Sequence, residues 1–254
     1  MDLSLEGKVA LVTGTGSQIG FGRCIALTLA KEGCDIIGTD KDIEGANQTA
    51  AEVRALGRQT IALKADVTKS AEVNRMVKAA LAKLGKIDIL VNNAGGASAA
   101  KPFVEKTEED WDYDINLNIR GVFNCTKAVL PHMIERRKGK IIIISSGAGK
   151  VGLPYHSTYS AAKGAAITFT KALALEVIDY GINVNCIAPN IGDTNFLIHS
   201  EINRDFFKQA VEITPAKRAT TPQDVANAVV FLVSDVSSYI LGQALSVDGG
   251  VVRF

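Results

Sequence analysis

Tyr159 and Lys163 stand four residues apart in the run Ser157-Thr158-Tyr159-Ser160-Ala161-Ala162-Lys163-Gly164-Ala165-Ala166. On a helix that spacing puts both side chains on one face. A free phenol titrates near 10, too high to exchange protons readily at neutral pH, and a neighbouring ammonium favours the phenolate and lowers that value. The pair is therefore a candidate proton shuttle, with Lys163 expected to acidify Tyr159. The alanines and the glycine around it let a flat ligand lie against the helix. A plain contact between neighbours on a solvent-facing turn is the alternative, and the pair alone does not decide between them.

The rest of the chain supplies the context. It has 254 residues, 47% of them apolar, enough for one large core. Lys and Arg number 28 against 27 Asp and Glu, for a net charge of +1, so no electrostatic signature of nucleic-acid binding is present. Arg136-Arg137-Lys138 is too short for such a patch and reads as a solvated helix end. Cys24, Cys34, Cys125 and Cys186 lack metal or disulfide spacing and read as small core residues of a reducing compartment. With no signal-like segment and no membrane-length apolar run, a soluble cytoplasmic protein is expected. Short β-type runs (Val9–Thr13, Asp35–Thr39, Thr60–Lys64, Ile87–Val91, Lys140–Ser145, Ile182–Ile187, Ala244–Val247) alternate with helical patterns over about 22–32, 44–56, 70–84, 108–137, 157–179, 201–213 and 222–233. Continuous apolar runs such as Ile141–Ile144 suit strands buried on both faces. The alternation predicts a single α/β domain with a doubly wound parallel sheet.

In such a sheet, ligands bind beyond the carboxyl ends of the strands. Four predicted strand ends carry suggestive residues. The first opens into Thr13-Gly14-Thr15-Gly16-Ser17-Gln18-Ile19-Gly20-Phe21-Gly22, where glycines before a helix suit a pyrophosphate at the helix N-terminus. A tight turn is the plainer use of the same residues. The second ends in Asp40, eighteen residues after Gly22, where a carboxylate accepts from both hydroxyls of an adenosine ribose and repels a 2′-phosphate. That favours NAD over NADP, with Lys41 and Lys8 as cations that soften the preference; a turn aspartate capping the next helix is the alternative. Asp66-Val67 follows the third strand and Asn92-Asn93-Ala94-Gly95 the fourth.

Taken together with Asn118, Ser146, Pro189 through Thr194 and Val247-Asp248-Gly249-Gly250, these motifs resemble, in order and from Gly7 to Gly250, a compact short-chain dehydrogenase/reductase. The resemblance implies a Rossmann-type sheet of about seven strands and a catalytic tetrad of Asn118, Ser146, Tyr159 and Lys163. In that scheme Tyr159 is the acid/base, Ser146 holds the substrate oxygen, Lys163 holds the nicotinamide ribose and Asn118 holds a water leading from Lys163 to solvent. The implied cofactor contacts are Gly14, Gly16, Ser17, Gln18, Ile19, Gly20, Asp40, Asp66, Val67, Asn93, Ala94, Gly95, Tyr159, Lys163, Pro189, Asn190 and Thr194. Two departures stand out. The glycine turn is two residues longer than usual, which places Gly20 and Gly22 at the helix start. Asn190 replaces the glycine that commonly follows the proline, so its side chain is expected to intrude on the nicotinamide or substrate side.

The expected substrate is a small secondary alcohol or ketone, contacted by Ser146, Tyr159, Ser98, His156 and Asn190. The segment 194–218, with Phe196, Leu197, Ile198, Phe206 and Phe207, is expected to form a lid. His132 and His199 have no metal-ligand partners at useful spacing, and no metal site is expected; Met76, Met133 and Trp111 read as core. The family implies a homotetramer formed through the two long helices. A 3-oxoacyl-thioester reductase shares every motif. An enoyl-thioester reductase spaces its tyrosine and lysine further apart, and a non-catalytic dinucleotide sensor has no need of Ser146, Tyr159 and Lys163 together.

Overall fold

The computed structural model describes residues 3–192, 194 and 204–252. Phe196, Leu197, Ile198 and His199 lie outside the described residues. Seven strands, β1 (Val9–Thr13), β2 (Asp35–Asp40), β3 (Thr60–Lys64), β4 (Ile89–Asn92), β5 (Gly139–Ile144), β6 (Ile182–Pro189) and β7 (Ala244–Val247), form one parallel sheet in the order 3-2-1-4-5-6-7. The helices are α1 (Phe21–Lys31), α2 (Ile43–Ala55), α3 (Ser70–Leu84), α4 (Glu108–Ile115), α5 (Gly121–Arg136), α6 (Ala148–Val151), α7 (Ser157–Val177), α8 (Arg204–Ile213) and α9 (Pro222–Val233). The chain reverses direction across the sheet between β1 and β4, which pair directly.

The continuously apolar strands face two cores. On β5, Ile141 and Ile143 pack with α3, α5 and α7, while Ile142 and Ile144 pack with α1, α2 and α9. Period-two alternation of side chains makes both sets necessary, which is why the run shows no polar residue. Met76, Met133, Cys34 and Cys125 sit in these cores. Trp111 does not: it is half-buried and stacks on the exposed Phe103, ring centroids 5.8 Å apart. Lys8 lies at the amino end of β1, on the far side of the sheet from the strand tips, and pairs with Asp235 at 3.0 Å. It therefore has no bearing on a cofactor. Among the described residues no helix is long and apolar enough to cross a membrane.

The pattern over 108–137 is a continuous helical run with a change of geometry inside it. A π turn at Asn116–Arg120 separates α4 from α5. The extra residue in such a turn shifts the register of one face while leaving the apolar spacing nearly intact. At the opposite end of the sheet Asp88, 5% exposed, accepts from the Val9 N–H at 2.9 Å and from Arg136 at 2.7 Å. Burial alone would raise its pKa, but these donors and Lys86 hold it below the ordinary carboxylate value. A depressed folded pKa contributes stability that is complete above the unfolded value near 4 and is lost as pH falls through the folded one. Asp88→Ala should cost about 1–3 kcal/mol at pH 7, the penalty for buried donors left unpaired. That difference should shrink in thermal melts run progressively below about pH 4.

Candidate active site

The tips of β1 to β6 open into one crevice of about 1230 Å³. Its β1 side is shaped by glycine. Gly14 has φ +76°, a left-handed conformation that side chains rarely adopt. At Gly22 a Cβ would come within 2.1 Å of the Gly14 carbonyl oxygen, so the first turn of α1 can lie against the loop only without a side chain. Gly20 occupies the N-cap of α1 and supplies no side-chain cap, which leaves the first backbone N–H groups of the helix available to an anion. Asn93 braces the other wall, donating from Nδ2 to the Thr13 carbonyl at 2.8 Å and to the Gly14 carbonyl at 3.3 Å.

The two additional loop residues turn away from the crevice. Gln18 donates to the Gly16 and Gly45 carbonyls at 2.9 and 3.0 Å, and Thr49 holds the Thr15 carbonyl, so the loop is tied down on α2. Ile19 is 51% exposed. Gly14, Ser17 and Gly20 line the crevice; Gly16, Gln18 and Ile19 do not. Asp40 faces the crevice beside Lys41, accepting from the Gly16 N–H at 2.8 Å and the Asp42 N–H at 3.0 Å. The helix-capping role falls to Asp42, whose carboxylate accepts from the Gly45 N–H at the start of α2. Asp66, Val67, Ala94, Gly95, Pro189 and Thr194 also line the crevice. Asn190 lines it too, and its amide donates to the Thr214 hydroxyl at 3.2 Å. It is fastened to the residue after α8, rather than left free to intrude on the ligand space.

At the floor of the crevice, Ser146 leaves β5 and Tyr159 and Lys163 arrive on α7. The Tyr159 and Ser146 hydroxyls hydrogen-bond each other. Tyr159 is 7% exposed and Lys163 5%. The Lys163 Nζ donates to the Ile144 carbonyl at 2.9 Å and lies 5.7 Å from the Tyr159 ring centroid. Here the expected acidification fails. Burial pushes the Tyr159 phenol up to about 12, against the Ser146 hydrogen bond, and pulls the Lys163 ammonium down to about 8. Both groups sit inside protein, where loss of water disfavours the charged form of each.

Asn118, on the π turn and 1% exposed, accepts from the Gly96 N–H and donates to the Gly96 and Asp114 carbonyls at 2.7 and 2.9 Å. Its amide pins the loop after β4 to the end of α4. Gly95 is needed beneath it: a Cβ there would meet Asn118 Oδ1 at 2.9 Å and Lys163 Nζ at 3.0 Å. Ser98 and His156, expected to touch substrate, do not line the crevice; both are buried behind Tyr159. The apolar wall comes instead from Tyr113, Leu117, Val151, Leu153, Phe206 and Ile213.

Comparison with known proteins agrees with this geometry. A family model described as enoyl-(acyl carrier protein) reductase matches residues 14–252. The chain is 37% identical over 250 residues to the 3-oxoacyl-(acyl-carrier-protein) reductase FabG of Thermotoga maritima, covering 98% of this chain and all of that one. The chain belongs to the short-chain dehydrogenase/reductase family. Another relative of this dehydrogenase/reductase is the hydroxy(phenyl)methylsuccinyl-CoA dehydrogenase subunit BbsD of Thauera aromatica, 37% identical with 98% of each chain covered. A crystal structure of the 3-ketoacyl-(acyl-carrier-protein) reductase of Brucella melitensis, complexed with NADH, superposes with a TM-score of 0.89 at 37% identity, over 97% of this chain and 99% of that one. The protein is an oxidoreductase acting on CH–OH or keto groups with a nicotinamide cofactor. The glycine cradle, the uncapped α1 N-terminus and the space above Gly95 fit that cofactor.

Proposed function

We propose that this dehydrogenase/reductase reduces the 3-oxo group of an acyl thioester, with NADH preferred as cofactor. A bound nicotinamide supplies the hydride. The Ser146 hydroxyl orients the carbonyl oxygen, Tyr159 gives that oxygen its proton, and Lys163 would hold the nicotinamide ribose of a bound cofactor. The observation that carries the reading is the meeting of Ser146, Tyr159 and Lys163 at the floor of the crevice. The substrate class is supported by the keto-thioester chemistry named for the Thermotoga and Brucella relatives and the CoA thioester of BbsD. The apolar wall, with Phe206 and Ile213 exposed into the crevice, suits an acyl chain. Tyr159 and Lys163 keep the three-residue gap that speaks against enoyl reduction.

Acetoacetyl-CoA should consume NADH faster than simple ketones such as cyclohexanone do; the reverse order would return the substrate to a free ketone or secondary alcohol, and no turnover on either would favour a dinucleotide sensor. Asp40 supports the choice of NADH. Asp40→Ser should weaken NADH by about tenfold, the lower end for loss of a charge-assisted hydrogen bond of about 1.5 kcal/mol, and should improve the NADPH to NADH ratio of kcat/KM. We read the described part of the expected lid, Thr194 and residues 204–218, as a cover over the crevice, since Thr194, Phe206, Ala210, Ile213 and Pro215 all line it. The exposed Phe123 on α5 and Leu175 on α7 support a homotetramer, to be checked by light scattering.

A further inference from the structure

Behind Tyr159 lies a buried polar cluster that the reaction does not use directly. Asp114, in the last turn of α4, is 0% exposed. Its Oδ1 accepts from the Ser98 N–H at 2.8 Å, and its Oδ2 accepts from the hydroxyls of Ser98 at 2.9 Å and Thr158 at 2.5 Å. Lys106, 7% exposed, donates from Nζ to Ser98 Oγ at 2.7 Å and to the Ala99 carbonyl at 2.8 Å. The Ser98 hydroxyl therefore stands between a buried ammonium and a buried carboxylate, accepting from one and donating to the other. Burying two charges is costly even when they are well paired, and apolar filling of the same space is often as stable. The cluster is better explained by what it holds in place.

What it holds is the start of α7. That helix begins without a cap of its own: His156 at the N-cap makes no side-chain cap, and the first turn has no acidic residue. Asp114 supplies, from another helix, a negative charge at the positive end of α7 and an acceptor that ties down the Thr158 hydroxyl. Thr158 immediately precedes Tyr159. The Asp114 main-chain carbonyl, in addition, accepts from Asn118, which pins Gly96. One residue thus joins α4, the loop after β4 and the catalytic turn of α7.

We propose that Asp114 is a positioning residue for Tyr159, anchoring the first turn of the catalytic helix through Thr158 while Ser98 and Lys106 hold its carboxylate in place. The proposal rests on the reading of Tyr159 as the proton donor. Its electrostatic consequence follows from the groups around it. Lys106 and His156 face the carboxylate from neighbouring segments and Tyr113 from its own helix; Tyr159 and Lys163 face it from α7, with Cys186 of β6 beside Lys163. Its charge adds to burial in disfavouring the phenolate and opposes burial by favouring the Lys163 ammonium. His156, whose Nδ1 is buried with no hydrogen-bond partner, is driven toward the neutral form by burial and then by Lys106.

Three sets of variants test this with acetoacetyl-CoA and NADH, and with 3-hydroxybutyryl-CoA and NAD in the oxidative direction. Thr158→Val keeps every charge and removes the anchor; kcat should fall about tenfold or more through misplacement of the phenol. NADH affinity should be unchanged, and Thr158→Ser should restore the rate. Asp114→Val/Lys106→Met leaves no charge behind; it should show the same fall, and adding Thr158→Val to it should cost nothing further. Asp114→Asn keeps the shape and removes the charge, so the rising limb of the oxidative pH profile, where the phenol loses its proton, should move to lower pH. Full kcat in Thr158→Val, independent losses in the triple variant, or an unmoved limb in Asp114→Asn would each overturn the proposal. Tyr159→Phe separates the two readings: if it turns over normally the role of Tyr159 fails, and if it is inactive while Thr158→Val runs at full rate only the anchoring role fails.

Discussion

Tyr159→Phe is expected to bind NADH as the wild type does and to reduce acetoacetyl-CoA at least about a thousandfold more slowly, within the range that general acid catalysis contributes. That loss corresponds to about 4 kcal/mol of transition-state stabilisation. The substitution removes one oxygen from a side chain that is 7% exposed and leaves its packing intact, so neither fold nor cofactor site should change. Loss of NADH binding in parallel with turnover would mean that Tyr159 serves the cofactor rather than the proton. The size of the effect follows from its setting. Ser146 orients the substrate oxygen but holds its own proton on the Tyr159 network, and Lys163, with its ammonium pulled down to about 8 and donating to the Ile144 carbonyl, is one step further away. No other described hydroxyl at the floor of the crevice is placed to replace the phenol.

Gly22→Ala is the second large effect. Its Cβ would stand 2.1 Å from the Gly14 carbonyl oxygen and 2.6 Å from Asn93 Nδ2, and the first of these is backbone that cannot swing aside. Either α1 moves off the sheet or the Gly14 loop moves into the crevice, and both spoil the cradle. Overpacking of this kind costs about 1–3 kcal/mol. NADH affinity should therefore fall by about 10- to 100-fold in a fluorescence titration, with a lower melting temperature of the free protein. A variant that melted lower yet bound NADH normally would show that the helix, not the loop, had yielded.

The strands and the catalytic pair were legible in sequence because their signals are local. Ile141–Ile144 must be apolar on both faces, and Tyr159 and Lys163 must share a face, wherever the chain goes afterwards. The start of α1 at Phe21 was likewise legible from Gly20 and Gly22, although Gln18 ties the loop to Gly45 of α2 and Gly16, Gln18 and Ile19 do not line the crevice. Other features depend on contacts far apart in the chain. The π turn at Asn116–Arg120 was hidden because apolar spacing runs on through it. Ser98 and His156 sit near the right strand ends, but the pull of Asp114 and Lys106 draws Ser98 inward and His156 is buried beside them. The one clue to that cluster was Asp114 itself, four residues before Asn118 and so on the same helical face as a residue bound for the interior. The rise of the Tyr159 phenol could not be read from its neighbour at all, because spacing reports the presence of Lys163 and says nothing of how completely water is excluded.

Ser146 and Tyr159 meet on the floor of the crevice, where one substrate oxygen can reach both hydroxyls. The same phenol protonates that oxygen in reduction and takes the proton back in oxidation. The structure of the protein with NADH and a non-reactive 3-oxoacyl thioester analogue tests this most directly. The account predicts the keto oxygen within hydrogen-bond distance of both the Tyr159 Oη and the Ser146 Oγ, with the nicotinamide above Gly95 and the acyl chain against Phe206 and Ile213. A keto oxygen held by other groups, with Tyr159 turned from it or the dinucleotide lying outside the crevice, would contradict it.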